Sequence, residues 1–186
     1  MAETKRELRK RIIAQRDILS DAERKNSQTL LKERILSHQW FCEAKELLAF
    51  VSYGSEIDTD DIIAEAYIRQ KKVYVPKIEG DMMTFYQIMP GEELIEGYKG
   101  ILEPDLLTTH EKFVFDREKQ NDVLMIMPGV AFDAKRNRIG YGKGFYDKYL
   151  ADKPDLRTIA VGFAMQMIPE IEAEETDIRP MQVICV

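Results

Sequence analysis

Apolar residues recur at helical spacing over the first third of the chain. Leu8, Ile12 and Ile13 sit among charged residues, which predicts an amphipathic helix near the N-terminus. Ser20 followed by Glu23 has the form of a capping box, in which a hydroxyl and a carboxylate satisfy the free N–H groups that open a helix. The helix that follows carries Leu30, Leu31 and Ile35 on its apolar side. Past residue 45 the period changes. Residues 47–52 (LLAFVS) form a short unbroken apolar run, as in a strand covered on both faces. Residues 72–76 (KVYVP), 84–88 (TFYQI), 122–127 (DVLMIM), 158–163 (TIAVGF) and 183–186 (VICV) read as further strands. Thr59 is placed to cap a helix running to Arg69, and another helix opens near Lys143 and ends at Leu150. Residues 97–122 carry no readable period.

Strands alternating with helices predict a single α/β domain over residues 1–186. The expected form is a three-layer sandwich, a mostly parallel sheet flanked by helices, with a helical N-terminus. Ligands bind such sheets beyond the carboxyl ends of the strands. The loops after Ser52, Pro76 and Met127 are therefore the first candidates for a site.

Composition narrows the partners. Of the 186 residues, 45% are apolar and 32% charged, which is too apolar for disorder. The net charge of −6 argues against a nucleic-acid partner and means that an anionic ligand needs a local pocket of cations. No apolar run approaches the ~20 residues that span a bilayer, and residues 1–17 lack an apolar signal core. No membrane partner is expected, and the expected location is the cytoplasm. Cys42 and Cys185 fall in no metal or redox spacing, and His38 and His110 have no partner pattern.

The candidate chemistry lies in residues 127–150, MPGVAFDAKRNRIGYGKGFYDKYL, between a buried strand and a helix. Gly140, Gly142 and Gly144 stand there at alternate positions, with Arg136, Arg138 and Lys143 among them. Glycines let the backbone approach a ligand, and successive N–H groups then cradle phosphate oxygens beside the positive end of a helix. Arg138 and Lys143 suit the charge that spreads over a transferring phosphoryl group. The other reading of the same residues is a flexible surface turn with solvated charges. The string is neither a Walker A loop, since no Gly-Lys-Ser/Thr ending is present, nor a dinucleotide fingerprint, since its third glycine is one position early. Asp147, three residues past the last glycine, is either a magnesium ligand beside phosphates or a partner of the helix N-terminus.

The string PGVAFDAKRNRIGYGKGFYD resembles the signature of the 5-formyltetrahydrofolate cyclo-ligases, also called 5,10-methenyltetrahydrofolate synthetases. Four weaker segments match in order: residues 5–9 (KRELR), 53–59 (YGSEIDT), 100–104 (GILEP) and 169–177, which ends in aspartate. The resemblance implies ATP as co-substrate, Mg²⁺ and the folate 5-formyltetrahydrofolate. It implies that Lys5, Arg6 and Arg9 contact ATP, together with Arg138, Gly140, Tyr141, Gly142, Lys143, Gly144, Phe145 and Tyr146. It implies a folate site of Val51, Glu56, Tyr141, Gly142, Lys143, Gly144 and Phe145, and magnesium held by Asp147 and Asp177. Arg138 and Lys143 would stabilise the phosphoryl group in transfer. Thr176 stands where many members carry histidine or asparagine, and Met181 where a second acid often lies. The expected protein is a monomeric ATP- and magnesium-dependent ligase. The alternatives are a non-catalytic nucleotide- or folate-binding regulator, or a sugar-phosphate isomerase or CoA-transferase on a similar scaffold.

Overall fold

The fold is that of a computed structural model describing residues 3–107 and 110–186. Residues 108 and 109, within the stretch that had no readable period, lie outside the described residues. The helices are α1 (Lys5–Asp17), α2 (Asp21–Leu36), α3 (Gln39–Glu43), α4 (Asp60–Ile68) and α5 (Phe145–Leu150). The strands are β1 (Glu46–Ala49), β2 (Lys72–Glu79), β3 (Met82–Ile88), β4 (Ile95–Glu96), β5 (Leu102–Glu103), β6 (Val123–Met127), β7 (Ala131–Phe132), β8 (Arg138–Ile139), β9 (Arg157–Gly162) and β10 (Gln182–Cys185). None of these helices is long and apolar enough to cross a membrane.

The main sheet has six strands in the order β10-β9-β6-β1-β2-β3, parallel except for β3, which returns antiparallel to β2. The expected α/β sandwich is therefore present. β1 and β6 are neighbours, yet the chain leaves β1 towards β2 and leaves β6 towards β9. This reversal opens a crevice beyond their carboxyl ends, where α/β sheets bind ligands. β2 runs on through Pro76. β1 accompanies it only as far as Tyr74, so the proline lies past the two-sided part of the sheet, where a missing N–H is tolerated.

Alternate residues of the central strands feed two cores, as the period of two requires. Leu47, Ala49, Leu124 and Ile126 pack on the side of α2, α3 and α4, against Leu31, Ile35, Phe41 and Ile62. Leu48, Met125 and Met127 pack on the opposite side, with Phe85, Phe132 and Leu150. α1 joins neither core. Its Leu8 and Ile12 meet Val130, Ala131 and Ile139 of the small β7–β8 hairpin, so this helix lies across the end of the sheet where the crevice opens.

Two local expectations fail for physical reasons. Leu30 is 41% exposed, because Leu31 and Ile35 define the buried stripe of α2 and Leu30 is turned away from it by about 100°. Thr59 precedes α4 but makes no side-chain cap; its hydroxyl donates to the Phe50 carbonyl (2.8 Å), which β1 leaves unpaired where it ends. Asp58 does the capping instead, accepting from the Asp60 N–H (2.6 Å). The boxes that open α1 (Thr4, Glu7) and α2 (Ser20, Glu23) are both formed.

Candidate active site

Beyond the carboxyl ends of β1 and β6 lies a cavity of about 910 Å³, at the upper end of the ~300–1,000 Å³ usual for small-molecule sites. Phe50 and Val51 bound it from β1, and Pro128 and Gly129 from β6. The glycine loop, the first turns of α5, the N-terminal half of α1 and residues 174–178 close it from the other side.

The wall formed by α1 and the glycine loop is cationic. Lys5 and Arg9 share a helical face, as their spacing of four predicts, and both line the cavity. Arg6, one position round the helix, is exposed and does not line it; this member of the expected set is turned away by about 100°. Arg9 Nε donates to the Gly140 carbonyl (2.7 Å) and so ties α1 to the loop. Gly142 (φ 93°) and Gly144 (φ 64°) adopt left-handed backbone that side chains disfavour. A Cβ at Gly140 would stand 2.9 Å from Arg138 Nη1. Lys143 points from this loop as an exposed side chain on the cavity wall, with no hydrogen bond or ion pair among the described residues.

Arg138 is buried at the base of the loop. Its Nη2 pairs with Asp147 Oδ1 (3.2 Å), its Nη1 donates to the Pro128 carbonyl (3.4 Å), and its guanidinium lies 5.6 Å from the Tyr146 ring centroid. Arg138 Nε is buried without a partner, an orphaned donor on the wall of a cavity. α5 has only six residues, so the positive end expected to assist phosphate binding is weak.

The acids expected to hold metal stand against these cations. Asp177 Oδ2 accepts from Lys5 Nζ (3.0 Å) and from the Glu174 N–H (2.9 Å). Burial works to raise the Asp177 carboxyl, but those bonds outweigh it and hold it below the usual aspartate range. Glu174 also takes Lys5 Nζ (2.7 Å). Asp147 Oδ1 accepts the N–H of Ile178, the residue after Asp177, which ties α5 to the segment carrying the second acid. Met181 does not line the cavity. Its carbonyl accepts from Arg136 Nη1 (2.7 Å), and its N–H donates to Thr158 Oγ1 (2.9 Å).

A sequence model of the 5-formyltetrahydrofolate cyclo-ligase family matches residues 1–186. The chain belongs to that family. It is 27% identical to a mouse 5-formyltetrahydrofolate cyclo-ligase, with 97% of this chain and 92% of the mouse protein covered. A probable cyclo-ligase of Caenorhabditis elegans is 30% identical, covering 98% of this chain and 92% of its own length. Among solved structures, the 5,10-methenyltetrahydrofolate synthetase of Aquifex aeolicus superposes with a TM-score of 0.81 at 26% identity, over 97% of this chain and 89% of that one. Membership places the chain among the ligases of folate one-carbon metabolism.

Val51 and Glu56, both expected there, line the same cyclo-ligase cavity. Burial raises the Glu56 carboxyl above its usual range, although the Tyr53 N–H, the Tyr141 hydroxyl and the charge of Arg16 pull the other way. Phe145 meets Tyr98 edge to face, with ring centroids 5.5 Å apart, and together they form part of an apolar flank with Ile78 and Met83. Tyr98 and Glu103 carry no expected role. Glu103, buried, accepts from Lys77 Nζ (3.3 Å) and from the N–H groups of Ile78 and Tyr98 (3.2 Å each). It braces residues 98–103 against β2 as one side of the cavity. Its only trace in the sequence is the GILEP match, since a lone glutamate in an aperiodic stretch has no pattern of its own.

Proposed function

We propose that the chain closes 5-formyltetrahydrofolate to 5,10-methenyltetrahydrofolate, with ATP converted to ADP and phosphate. The observation that carries this reading is one continuous cavity with two unlike linings. Lys5, Arg9, Arg138 and Lys143 gather where α1 and the glycine loop line it, suited to a triphosphate. The same cavity carries Glu56 and an apolar flank, suited to a flat heterocycle whose N–H groups need an acceptor.

The formyl group is an amide, so its carbon is a poor electrophile and its oxygen a poor leaving group. In the proposed sequence the formyl oxygen bonds to the γ-phosphorus as the β–γ bridge breaks, releasing ADP. The nitrogen at position 10 then attacks the activated carbon, its proton passes to solvent, and phosphate departs. No protein nucleophile is required. The chain positions two anionic substrates in line and neutralises charge on the phosphoryl oxygens. One chain supplies every wall of the cavity, which suits a monomer, and the cytoplasm is the proposed place of action.

Asp147 and Asp177 offer the oxygen donors that a hard cation takes, and magnesium is usually held by one or two carboxylates plus phosphates. Bound there, Mg²⁺ would neutralise the phosphate oxygens. Asp147→Asn keeps a side-chain oxygen for the Ile178 N–H, so the fold should survive while the magnesium concentration at half-maximal rate rises. An unchanged magnesium titration removes Asp147 from the metal site.

The reaction itself is tested by incubating the pure protein with 5-formyltetrahydrofolate and Mg-ATP. The methenyl product is expected to appear through its near-ultraviolet absorbance, with ADP in equal amount. Binding of both ligands without product would assign a regulator, and turnover without ATP a different enzyme class.

A further inference from the structure

Arg16 lies in the last turn of α1 and is 2% exposed. It has no ion pair of its own among the described residues, although an unpaired buried guanidinium is costly. At about 100° per residue it falls on the same face of α1 as Lys5 and Arg9. Those two line the cavity; Arg16 sits beyond them, where the glycine loop meets the loop after β1.

Its hydrogen bonds are specific. Nη2 donates to the Tyr141 hydroxyl (2.8 Å), and Nε donates to Ser55 Oγ (3.0 Å). Ser55 immediately precedes Glu56, so one guanidinium joins Tyr141 of the glycine loop to the turn that carries the Glu56 carboxylate. A second arginine secures the arrangement, for Arg24 Nη1 donates to the Ser55 carbonyl (3.2 Å) and Arg24 Nη2 to the Arg16 carbonyl. Arg16 thus joins Tyr141 of the glycine loop to the Ser55–Glu56 turn after β1.

We propose that Arg16 is a positioning residue for the reaction, holding Tyr141 and Ser55 together so that the glycine loop and the neighbouring folate-binding carboxylate of Glu56 are set in register. The inference rests on the cyclo-ligase reading above. Without Arg16 the Tyr141 hydroxyl turns freely, and the loop loses its anchor on the folate side. Displacements of about 1 Å in such sites cost up to about 10²-fold in rate.

A merely structural arginine would affect stability, and its charge the titration of Glu56, but neither would couple its effect on kcat/KM to that of Tyr141. The groups facing Glu56 are Arg16 from α1, Tyr141 from the glycine loop, Tyr146 from α5 and the Tyr53 N–H of its own loop. Of these, only Arg16 carries charge at neutral pH. Arg16→Met should lower kcat/KM for 5-formyltetrahydrofolate by about 10- to 100-fold and move the acid limb of its pH profile upward. Arg16→Lys restores the charge but cannot make both bonds. It should return the acid limb towards the wild-type position while kcat/KM stays low. Tyr141→Phe, on a half-exposed side chain that the fold does not need, should lose less activity in the Arg16→Met background than in the wild type. An acid limb unmoved in Arg16→Met, or full additivity with Tyr141→Phe, overturns the proposal. Should Arg16→Met not fold, Arg16→Lys with both kcat/KM and additivity unchanged overturns it equally. Absence of product in the wild-type protein would refute the cyclo-ligase reading itself, an outcome separate from these.

Discussion

Lys143→Ala is expected to lower turnover by about 10²–10³-fold while the unfolding midpoint stays where it is. The side chain is exposed on the cavity wall and holds no hydrogen bond or ion pair among the described residues, so its loss strands no partner. Whatever it contributes is therefore contributed to a ligand. Lys5 is already engaged by Glu174 and Asp177, and Arg138 by Asp147, so nucleotide charge must compete for both. Lys143 alone of the four is unengaged, since Arg9 is bonded to the Gly140 carbonyl. An ammonium on a glycine-flanked loop can follow the phosphoryl group as its charge grows. A loss confined to kcat would mark an interaction made mainly in the transition state, and a loss confined to KM one made equally with bound ATP. Near-wild-type kcat and KM in a folded Lys143→Ala protein would remove the residue from the mechanism.

Asp133→Ala is expected to be the most damaging single change to the fold near the site. Asp133 is 1% exposed and sits in the turn joining β7 to β8. Oδ1 accepts from the N–H groups of Lys135 and Asn137 (2.9 Å each). Oδ2 accepts from Asn137 Nδ2 (2.8 Å) and from the Ile171 N–H (3.0 Å). Asn137 in turn takes Arg179 Nε (2.6 Å), so one carboxylate ties the hairpin under α1 to the segment that delivers Asp177. Removing it strands buried donors, at a cost of about 3–5 kcal/mol. For a chain of this size that lowers the unfolding midpoint by roughly 10 °C. A drop under about 2 °C would show that the network is dispensable.

The same carboxylate has a pH signature. Burial tends to raise it, but the bonds from Asn137, Ile171 and Lys135 outweigh burial and hold it below the usual aspartate range. A group depressed on folding stabilises the protein above its unfolded value, about 3.9 for aspartate, and loses that contribution as pH falls through the folded value. Asp133→Ala should therefore weaken the protein most at neutral pH and flatten its loss of stability in acid.

Much of this was legible residue by residue. The mainly apolar runs at 47–52, 122–127 and 158–163 announce strands, because few polar positions interrupt them. The box at Ser20 is local chemistry, so its residue types suffice, and the same chemistry at Thr4 and Glu7 was missed. The glycine loop is legible from spacing; of its cations Arg138 and Lys143 line the cavity, whereas Arg136 turns to the Met181 carbonyl. Arg16, Glu103 and Asp133 were not found as functional or structural anchors. Each acts through partners distant in sequence, Arg16 through Ser55 and Tyr141, Glu103 through Lys77, and Asp133 through Ile171. None of those separations has a period.

By itself the order of residues determined the longer helices and the central strands, the α/β class and the loop rich in glycine and cations, since each depends on neighbours within a few positions. Only the tertiary structure decided that Lys5 meets Asp177 (3.0 Å), that Arg6 turns away from the cavity, and that Arg16 lies beneath Tyr141. Those outcomes depend on where α1 docks. That docking is set by Leu8 and Ile12 burying against Val130 and Ile139, more than a hundred residues away in the chain and joined to them by hydrophobic burial, which has no direction or sequence signature.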